Sequence, residues 1–413
     1  MKILSVIGAR PNFMKITPIA AAIDRYNRQC GKTAKSIRHI LVHTGQHYDE
    51  LMSGIFFEDL GLPTPDIYLG IGSASHAVQT ANLLIQFEKV LLEHTPDIVL
   101  VVGDVNSTIA CALATSKFYI NEGRKRPLIA HVEAGLRSFD HTMPEEINRI
   151  LTDHISDILL VTESSGMNNL KREGLPRSKQ YFVGNTMIDT LLTFKKASQQ
   201  SPILSQLGLI SEKRGRRSLL SPYALLTMHR PSNVDNKKTL CGIVDALRTV
   251  SKVMPVIFPC HPRTRNKLSE FKMNNYFSCL NVRNVLCKNA SADRAISKRS
   301  DQLYLIDPLG YIDFLQLMSN ARVVFTDSGG IQEETTCLHI PCITLRNNTE
   351  RPVTISNGTN VLGGTTKKEI VKAFEHSMKK TLNNRRKPKY WDGRASERIL
   401  KILLQAHHKK MNS

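Results

Sequence analysis

Short, almost wholly apolar runs separated by longer segments of helical pattern constrain this chain more than any other feature. The runs lie at residues 2–8, 38–43, 97–103, 128–132, 157–162 and 181–184, and then at 223–228, 256–259, 323–327 and 341–345. Strands of this kind, bounded by turn residues and alternating with helices, belong to parallel sheets covered on both faces. Between Ala197 and Pro222 the pattern breaks into polar and basic residues (Ser198-Gln199-Gln200-Ser201-Pro202, then Lys213-Arg214-Gly215-Arg216-Arg217-Ser218). The expected organisation is therefore α/β with two doubly wound Rossmann-like domains, at 1–196 and 222–393, joined by a linker at 197–221. A length of 413 residues leaves room for two cores. Ile399, Ile402 and Leu403 recur at helical spacing, so a final helix over 394–411 carries an apolar stripe that must pack on something.

Composition narrows the function classes. No apolar run approaches the ~20 residues of a membrane span. Ala9-Arg10-Pro11-Asn12 ends the first apolar stretch too early for a signal peptide. The eight cysteines are scattered, with no Cys-x-x-Cys pair, so neither a metal site nor a redox motif is expected, and a reducing cytoplasm suits the chain. The formal charge is +20, and residues 365–413 hold 14 Lys or Arg against 4 Asp or Glu, half of that excess. Such a tail is readable as a nucleic-acid surface, or as a solvated basic face that attracts a nucleotide substrate over long range. No recognisable nucleic-acid module accompanies it, so nucleic acid is not the expected partner. The stretch 289–301 is polar and without periodicity, a surface loop.

In open α/β sheets, ligands bind beyond the carboxyl ends of the strands. Arg10 and Lys15 follow the first strand, Asp104 follows 97–103, and Glu133 follows His131-Val132. Met143-Pro144-Glu145-Glu146-Ile147-Asn148-Arg149 comes shortly after. In the second half His229, His261 and Asp327-Ser328-Gly329-Gly330 end strands. Asp104 is equally readable as the cap of a helix begun by Asn106-Ser107-Thr108. Glu145 and Glu146 suit the first turn of a helix after Pro144, with Glu145–Arg149 an i,i+4 ion pair. His261 before Pro262 reads as a loop histidine. Glu334 is either a ribose acceptor or an exposed helical carboxylate beside Glu333. Ser328-Gly329-Gly330 lets a phosphate approach the N–H groups of the next helix. Neither a Gly-x-Gly-x-x-Gly after the first strand nor a Walker-type lysine loop is present, so no cofactor is expected.

These segments, in this order, resemble the non-hydrolysing UDP-N-acetylglucosamine 2-epimerase family. The resemblance runs through Gly8-Ala9-Arg10-Pro11, His43-Thr44-Gly45-Gln46-His47, Gly103-Asp104-Val105-Asn106-Ser107-Thr108, His131-Val132-Glu133-Ala134-Gly135-Leu136-Arg137 and the 143–149 segment. It continues with Thr227-Met228-His229-Arg230, the 326–334 segment, Thr349-Glu350-Arg351-Pro352 and Trp391-Asp392-Gly393. It implies a glycosyltransferase-B fold, its two domains facing across a cleft, with the last helix crossing back to the first domain. It also implies Asp104, Glu133, Glu145 and His229 as catalytic residues. Arg10, Lys15, His229, Leu309, Phe314, Ser328, Gly329, Gly330, Glu334 and Arg351 would hold the UDP moiety, Leu309 through its backbone. Gln46 and His261 match parts of a second, activating substrate pocket. Ile150 stands where many members carry a carboxylate, which leaves room for a modified UDP-sugar. The expected partner is a small-molecule UDP-sugar, with the enzyme a cytoplasmic homodimer that serves surface-polysaccharide synthesis.

The chemistry agrees with the residue types. Inverting C2 means removing a hydrogen that no carbonyl acidifies. Expelling UDP from C1 with loss of the C2 proton gives a 2-acetamidoglucal, to which UDP adds back after protonation on the other face. Two faces need two acid/base groups, and the departing diphosphate needs fixed positive charge.

Overall fold

The computed structural model describes residues 1–31, 36–46, 64–119, 126–213, 216–280, 296, 302–379 and 387–412; Arg10 and residues 212, 213, 216 and 217 are described by backbone alone. The chain forms two compact units, one of residues 1–193 and 388–413, the other of residues 194–387. Each is built on a seven-stranded parallel sheet. Among the described residues no helix is long and apolar enough to cross a membrane.

In the first unit the strands are β1 (Lys2–Ile7), β2 (Arg38–His43), β3 (Ile67–Tyr68), β4 (Ile98–Val102), β5 (Leu128–Ala134), β6 (Ile158–Val161) and β7 (Gln180–Phe182). They lie in the order β3-β2-β1-β4-β5-β6-β7. Leu4, Val6, Val99, Val101 and Ile129 meet Phe87 and Leu91 of the helix His76–His94 and Cys111 of the helix Asn106–Ser116. Each such side chain contributes about 1.5–3 kcal/mol by leaving water. The helix Arg10–Cys30 starts with Pro11 in its first turn and contains Pro18. A proline inside a helix leaves the carbonyl four residues back without its donor. Here that carbonyl belongs to Met14, and Thr190 donates its hydroxyl to it at 2.5 Å.

The final helix, Ala395–Asn412, packs on the helix Arg10–Cys30 within this unit, with Ile399 and Leu403 fully buried. Just before it Trp391 is buried, and its indole N–H donates to the Thr162 carbonyl. The buried Asp189 carboxylate accepts the first helical N–H groups, from Ala395 at 3.1 Å and Ser396 at 2.8 Å. It caps a helix about two hundred residues away in sequence.

The second unit opens with an antiparallel hairpin of β8 (Ile210–Lys213) and β9 (Arg216–Leu219), preceded by a short helix, Ile203–Gln206. Its sheet comprises β10 (Ala224–Thr227), β11 (Val256–Pro259), β12 (Phe277–Leu280), β13 (Leu303–Ile306), β14 (Val323–Thr326), β15 (Cys342–Thr344) and β16 (Asn360–Leu362), in the order β12-β13-β11-β10-β14-β15-β16. One face is covered by the helices Lys237–Ser251 and Lys367–Lys379, whose Ile243, Leu247, Ile370 and Phe374 pack on Phe258, Phe325 and Ile343. Two doubly wound α/β units are thus present. The strands β3, β8, β9, β12, β13 and β16 stand where no apolar run was marked. Of the stretch read as a surface loop at 289–301, only Ile296 lies within the described residues.

Replacing Asp189 by alanine leaves the start of the last helix uncapped and should cost about 1–2 kcal/mol. The expected result is trypsin cleavage within 395–412 accelerated roughly five- to thirty-fold over the wild-type chain, timed by mass spectrometry.

Candidate active site

In each sheet the chain reverses direction of travel beside its first strand, between β1 and β4 in one and between β10 and β14 in the other. Crevices at such switch points, beyond the carboxyl ends of the strands, are where ligands bind.

At the first switch point Asn12 ties the turns together. Its side-chain oxygen accepts from the Gly8 and Ala9 N–H groups, and its amide donates to the Val102 carbonyl at 3.0 Å. Gly103 then turns the chain with φ of +71°, in the left-handed region that favours glycine. A Cβ there would also stand 3.2 Å from the Asn12 amide, 3.3 Å from Lys15 Nζ and 3.4 Å from Glu133 Oε2. Asp104 follows, and it is no helix cap: Arg149 donates to Asp104 Oδ2 from Nε at 2.9 Å and from a terminal nitrogen at 2.7 Å. Asn148 donates to the Asp104 carbonyl at 2.9 Å. Arg149 also pairs with Glu146, whose oxygens accept the Ser138 and Phe139 N–H groups. The i,i+4 pair of Glu145 with Arg149 is therefore replaced by an i,i+3 pair with Glu146. Glu145 itself is half-buried in the first turn of the helix Pro144–Ile155.

Glu133 sits where β5 shifts register between Val132 and Ala134, and its own φ is +75°. A bulge re-aims a side chain, and a left-handed φ on a non-glycine residue costs on the order of 1–3 kcal/mol. The carboxylate so aimed is buried and forms an ion pair with the buried Lys15. Arg10 begins the same helix as Lys15, and its side chain lies outside the described residues. Gln46 is buried next to this turn, accepting the Ser107 N–H at 3.0 Å and its hydroxyl at 2.7 Å. His43, from the same motif, is stacked on Tyr68, and burial lowers its pKa to about 4. His47 lies outside the described residues.

In the second unit the wholly buried Asp327 organises the turn after β10, accepting the N–H groups of His229 at 3.0 Å and Arg230 at 2.9 Å. The His229 side chain is half exposed (51%), its ring 6.5 Å from that of His261. His261 is exposed and accepts the Arg263 N–H at the start of the helix Pro262–Glu270, the place of a capping residue. Ser328 is the N-cap of the helix Gly329–Leu338, whose first N–H groups have no partner within the helix. A Cβ on Gly329 would stand 2.7 Å from Glu350 Oε1. Arg351 is buried and pairs with Glu333 at 2.6 Å. Glu334, far from being exposed, is buried and accepts the Tyr311 hydroxyl at 2.9 Å. Burial raises its pKa to about 8. Leu309 and Phe314 flank Tyr311, both half-buried. Among the described residues no group of three or more His, Cys, Asp or Glu side chains is placed to hold a metal ion.

Sequence reasoning passed over Arg149 as the partner of Asp104, and over Asn12, Glu146 and Asp327 as the groups that fix the turns. Arg149 and Glu146 stand in the same short motif as Glu145, but a partner dozens of residues away in sequence shows only on folding.

Two doubly wound units, each with charged side chains gathered at its switch point, define an α/β enzyme of Rossmann-like build. The family model for UDP-N-acetylglucosamine 2-epimerase matches residues 29–404, and the chain belongs to that family. It is 41% identical to the UDP-N-acetylglucosamine 2-epimerase of Methanocaldococcus jannaschii over 98% of this chain and 99% of that one. A crystal structure of the enzyme from that organism in complex with UDP-GlcNAc and UDP is similar with a TM-score of 0.80, over 98% of this chain and 100% of that one, at 40% identity. The UDP-2,3-diacetamido-2,3-dideoxy-D-glucuronate 2-epimerase of Pseudomonas aeruginosa is 38% identical over 98% of this chain and 99% of that one.

The raised pKa of Glu334 has a measurable consequence. A carboxyl that titrates near 8 in the fold and near 4.5 unfolded keeps its proton in the folded state while the unfolded chain has lost it. Its contribution to stability is therefore present in full below about 4.5 and lost as pH rises toward 8. Glu334→Gln should flatten that fall, raising the thermal midpoint above wild type by several degrees at pH 8 and little at pH 5, read by calorimetry at both pH values.

Proposed function

We propose that this chain interconverts UDP-N-acetylglucosamine and UDP-N-acetylmannosamine by elimination and re-addition of UDP. The observation that carries the reading is the pair of carboxylates at one switch point, each fixed by its own cation: Asp104 by Arg149 and Glu133 by Lys15. In the elimination the C2–H bond breaks and its electron pair forms the C1–C2 double bond. The C1–O bond breaks with it, and UDP departs carrying the electron pair of the C1–O bond. A carboxylate among Asp104, Glu133 and Glu145 takes the proton, and another returns one to the opposite face. His229, Arg10, Lys15, Arg351 and the helix start at Ser328, Gly329 and Gly330 stabilise the diphosphate. Glu334, Leu309 and Phe314 hold the nucleoside, and Gln46 and His261 belong to an activating substrate pocket. The complex of the M. jannaschii relative with UDP-GlcNAc and UDP supports the choice of ligand.

A second reading is that the substrate is a modified UDP-N-acetylglucosamine, and the P. aeruginosa relative that acts on a diacetamido uronate supports it. In either case the enzyme works in the cytoplasm as a homodimer supplying surface polysaccharide. The exposed Val78, Ile85 and Leu92, seven residues apart along one helix, support the dimer. Antiparallel pairing centred on Ile85 would set Val78 against Leu92 of a second copy.

Incubation with UDP-N-acetylglucosamine in deuterated water, followed by NMR, should show deuterium at C2 and growth of UDP-N-acetylmannosamine. Free N-acetylmannosamine would point to hydrolysis instead. An enzyme inert toward UDP-N-acetylglucosamine that turns over the diacetamido uronate would establish the second reading. Asp104→Asn, Glu133→Gln and Glu145→Gln should each slow exchange by about 10²- to 10⁴-fold while UDP still binds in calorimetry; wild-type exchange in all three would remove the assignment. Ile85→Glu should convert the dimer to a monomer in analytical ultracentrifugation.

A further inference from the structure

We propose that His131, held by Asp153, is a positioning residue that locks both carboxylate-bearing turns of the first unit by donating from both ring nitrogens. The proposal deepens the epimerase reading and rests on it for the meaning of Asp104 and Glu133.

His131 lies on β5, two residues before Glu133, and is completely buried. Its Nε2 is 2.8 Å from the carbonyl of Gly103, the residue just before Asp104. Its Nδ1 is 2.7 Å from Asp153 Oδ1. The other Asp153 oxygen accepts the N–H of Gly135, two residues after Glu133, at 2.9 Å, and pairs with Arg137 at 2.7 Å. Four fixed contacts therefore clamp the turn that presents Asp104 and bracket the bulge that presents Glu133.

The partners decide the state of the ring. A backbone carbonyl only accepts, so Nε2 must carry a hydrogen. An ionised carboxylate only accepts, so Nδ1 must carry one too. Asp153 is that acceptor whatever the state of the ring, because its other oxygen takes the Gly135 N–H and pairs with the always-charged Arg137. The ring is thus an imidazolium in a chain that runs from the buried His131, Asp153 and Arg137 out to the partly exposed Glu173, the last two paired at 2.7 Å. Two cations and two anions balance, which is what makes a buried charge tolerable. A neutral ring would satisfy one partner and leave the other facing a lone pair, releasing one turn.

The test uses the full-length protein labelled with 15N-histidine at neutral pH. His131 should show two N–H resonances, both slow to exchange with water, identified among the 14 histidines by their loss in His131→Gln and their shift in Asp153→Asn. A single N–H on this ring overturns the proposal whatever the substrate proves to be. Kinetics give the second arm. His131→Phe should lower kcat for C2 exchange about 100-fold, with KM changed less than about threefold and UDP affinity unchanged. His131→Gln, which restores a donor toward Gly103, should recover at least a tenth of the wild-type rate. A Phe variant with wild-type kcat, or a Gln variant no faster than Phe, overturns the proposal. Failure of the wild-type enzyme to act on any UDP-N-acetylhexosamine removes the epimerase reading instead, so the two failures are distinct.

Discussion

A carboxylate taken out of water needs a fixed cation, and the ion pair between Lys15 and Glu133 meets that need at the centre of the first unit. Removing one partner of such a buried pair costs on the order of 3–5 kcal/mol, because the other is left charged and alone. Much of the surrounding structure follows from it. Lys15 reaches the site because Pro11 starts its helix directly after β1, one turn before it. Glu133 faces it only because β5 shifts register and accepts a left-handed φ. Gly103 is glycine because its φ of +71° suits no other residue well, and a Cβ there would also press on the Asn12 amide and on the pair. Asp104 obeys the same rule through Arg149, which in turn pairs with Glu146.

The second unit solves the opposite problem. Under the proposed function it would offer positive potential to an anion, and its arginines are held by acids. Buried acids do the holding: Glu333 fixes Arg351, and Glu350 fixes Arg346 while approaching Arg230. Asp327 orients the backbone of His229 and Arg230, so that the half-exposed His229 ring follows from a buried carboxylate. The open N–H groups of the helix starting at Gly329 add a partial positive charge that costs no desolvation of a side chain. A departing diphosphate would meet preset donors, which is the form in which electrostatic stabilisation is most effective.

Most of the fold was legible because buried parallel strands are nearly continuous apolar runs. The ten runs marked in the sequence coincide with β1, β2, β4, β5, β6, β7, β10, β11, β14 and β15. The rest was not legible for physical reasons. Leu303–Ile306 is a short run standing directly after a long polar stretch, which hides it. The hairpin of Ile210–Lys213 with Arg216–Leu219 is polar and basic, so its strands are defined by pairing and not by burial. For the site, the motifs located Asp104 and Glu133 at strand ends and Glu145 at a helix start, but not the cations that hold Asp104 and Glu133. Glu145 and Arg149 looked like an ion pair because they are one helical turn apart, yet Arg149 turns to Asp104, 45 residues away. Of the two readings of Glu334, ribose acceptor or exposed acid beside Glu333, the exposed one fails, because the side chain is buried against Tyr311.

The alternation of strand and helix, the two-unit α/β class and the family can be read from the chain alone, because apolar periodicity and ordered short motifs are local properties. Folding was needed to show which cation holds which carboxylate, that Glu133 takes a strained backbone, that Asp189 caps the last helix and that His131 stands between Asp153 and the Gly103 carbonyl. Those are contacts between residues far apart in sequence, needed because burial strips the water that would otherwise solvate each charge, and no local pattern encodes which distant group will be there to receive it.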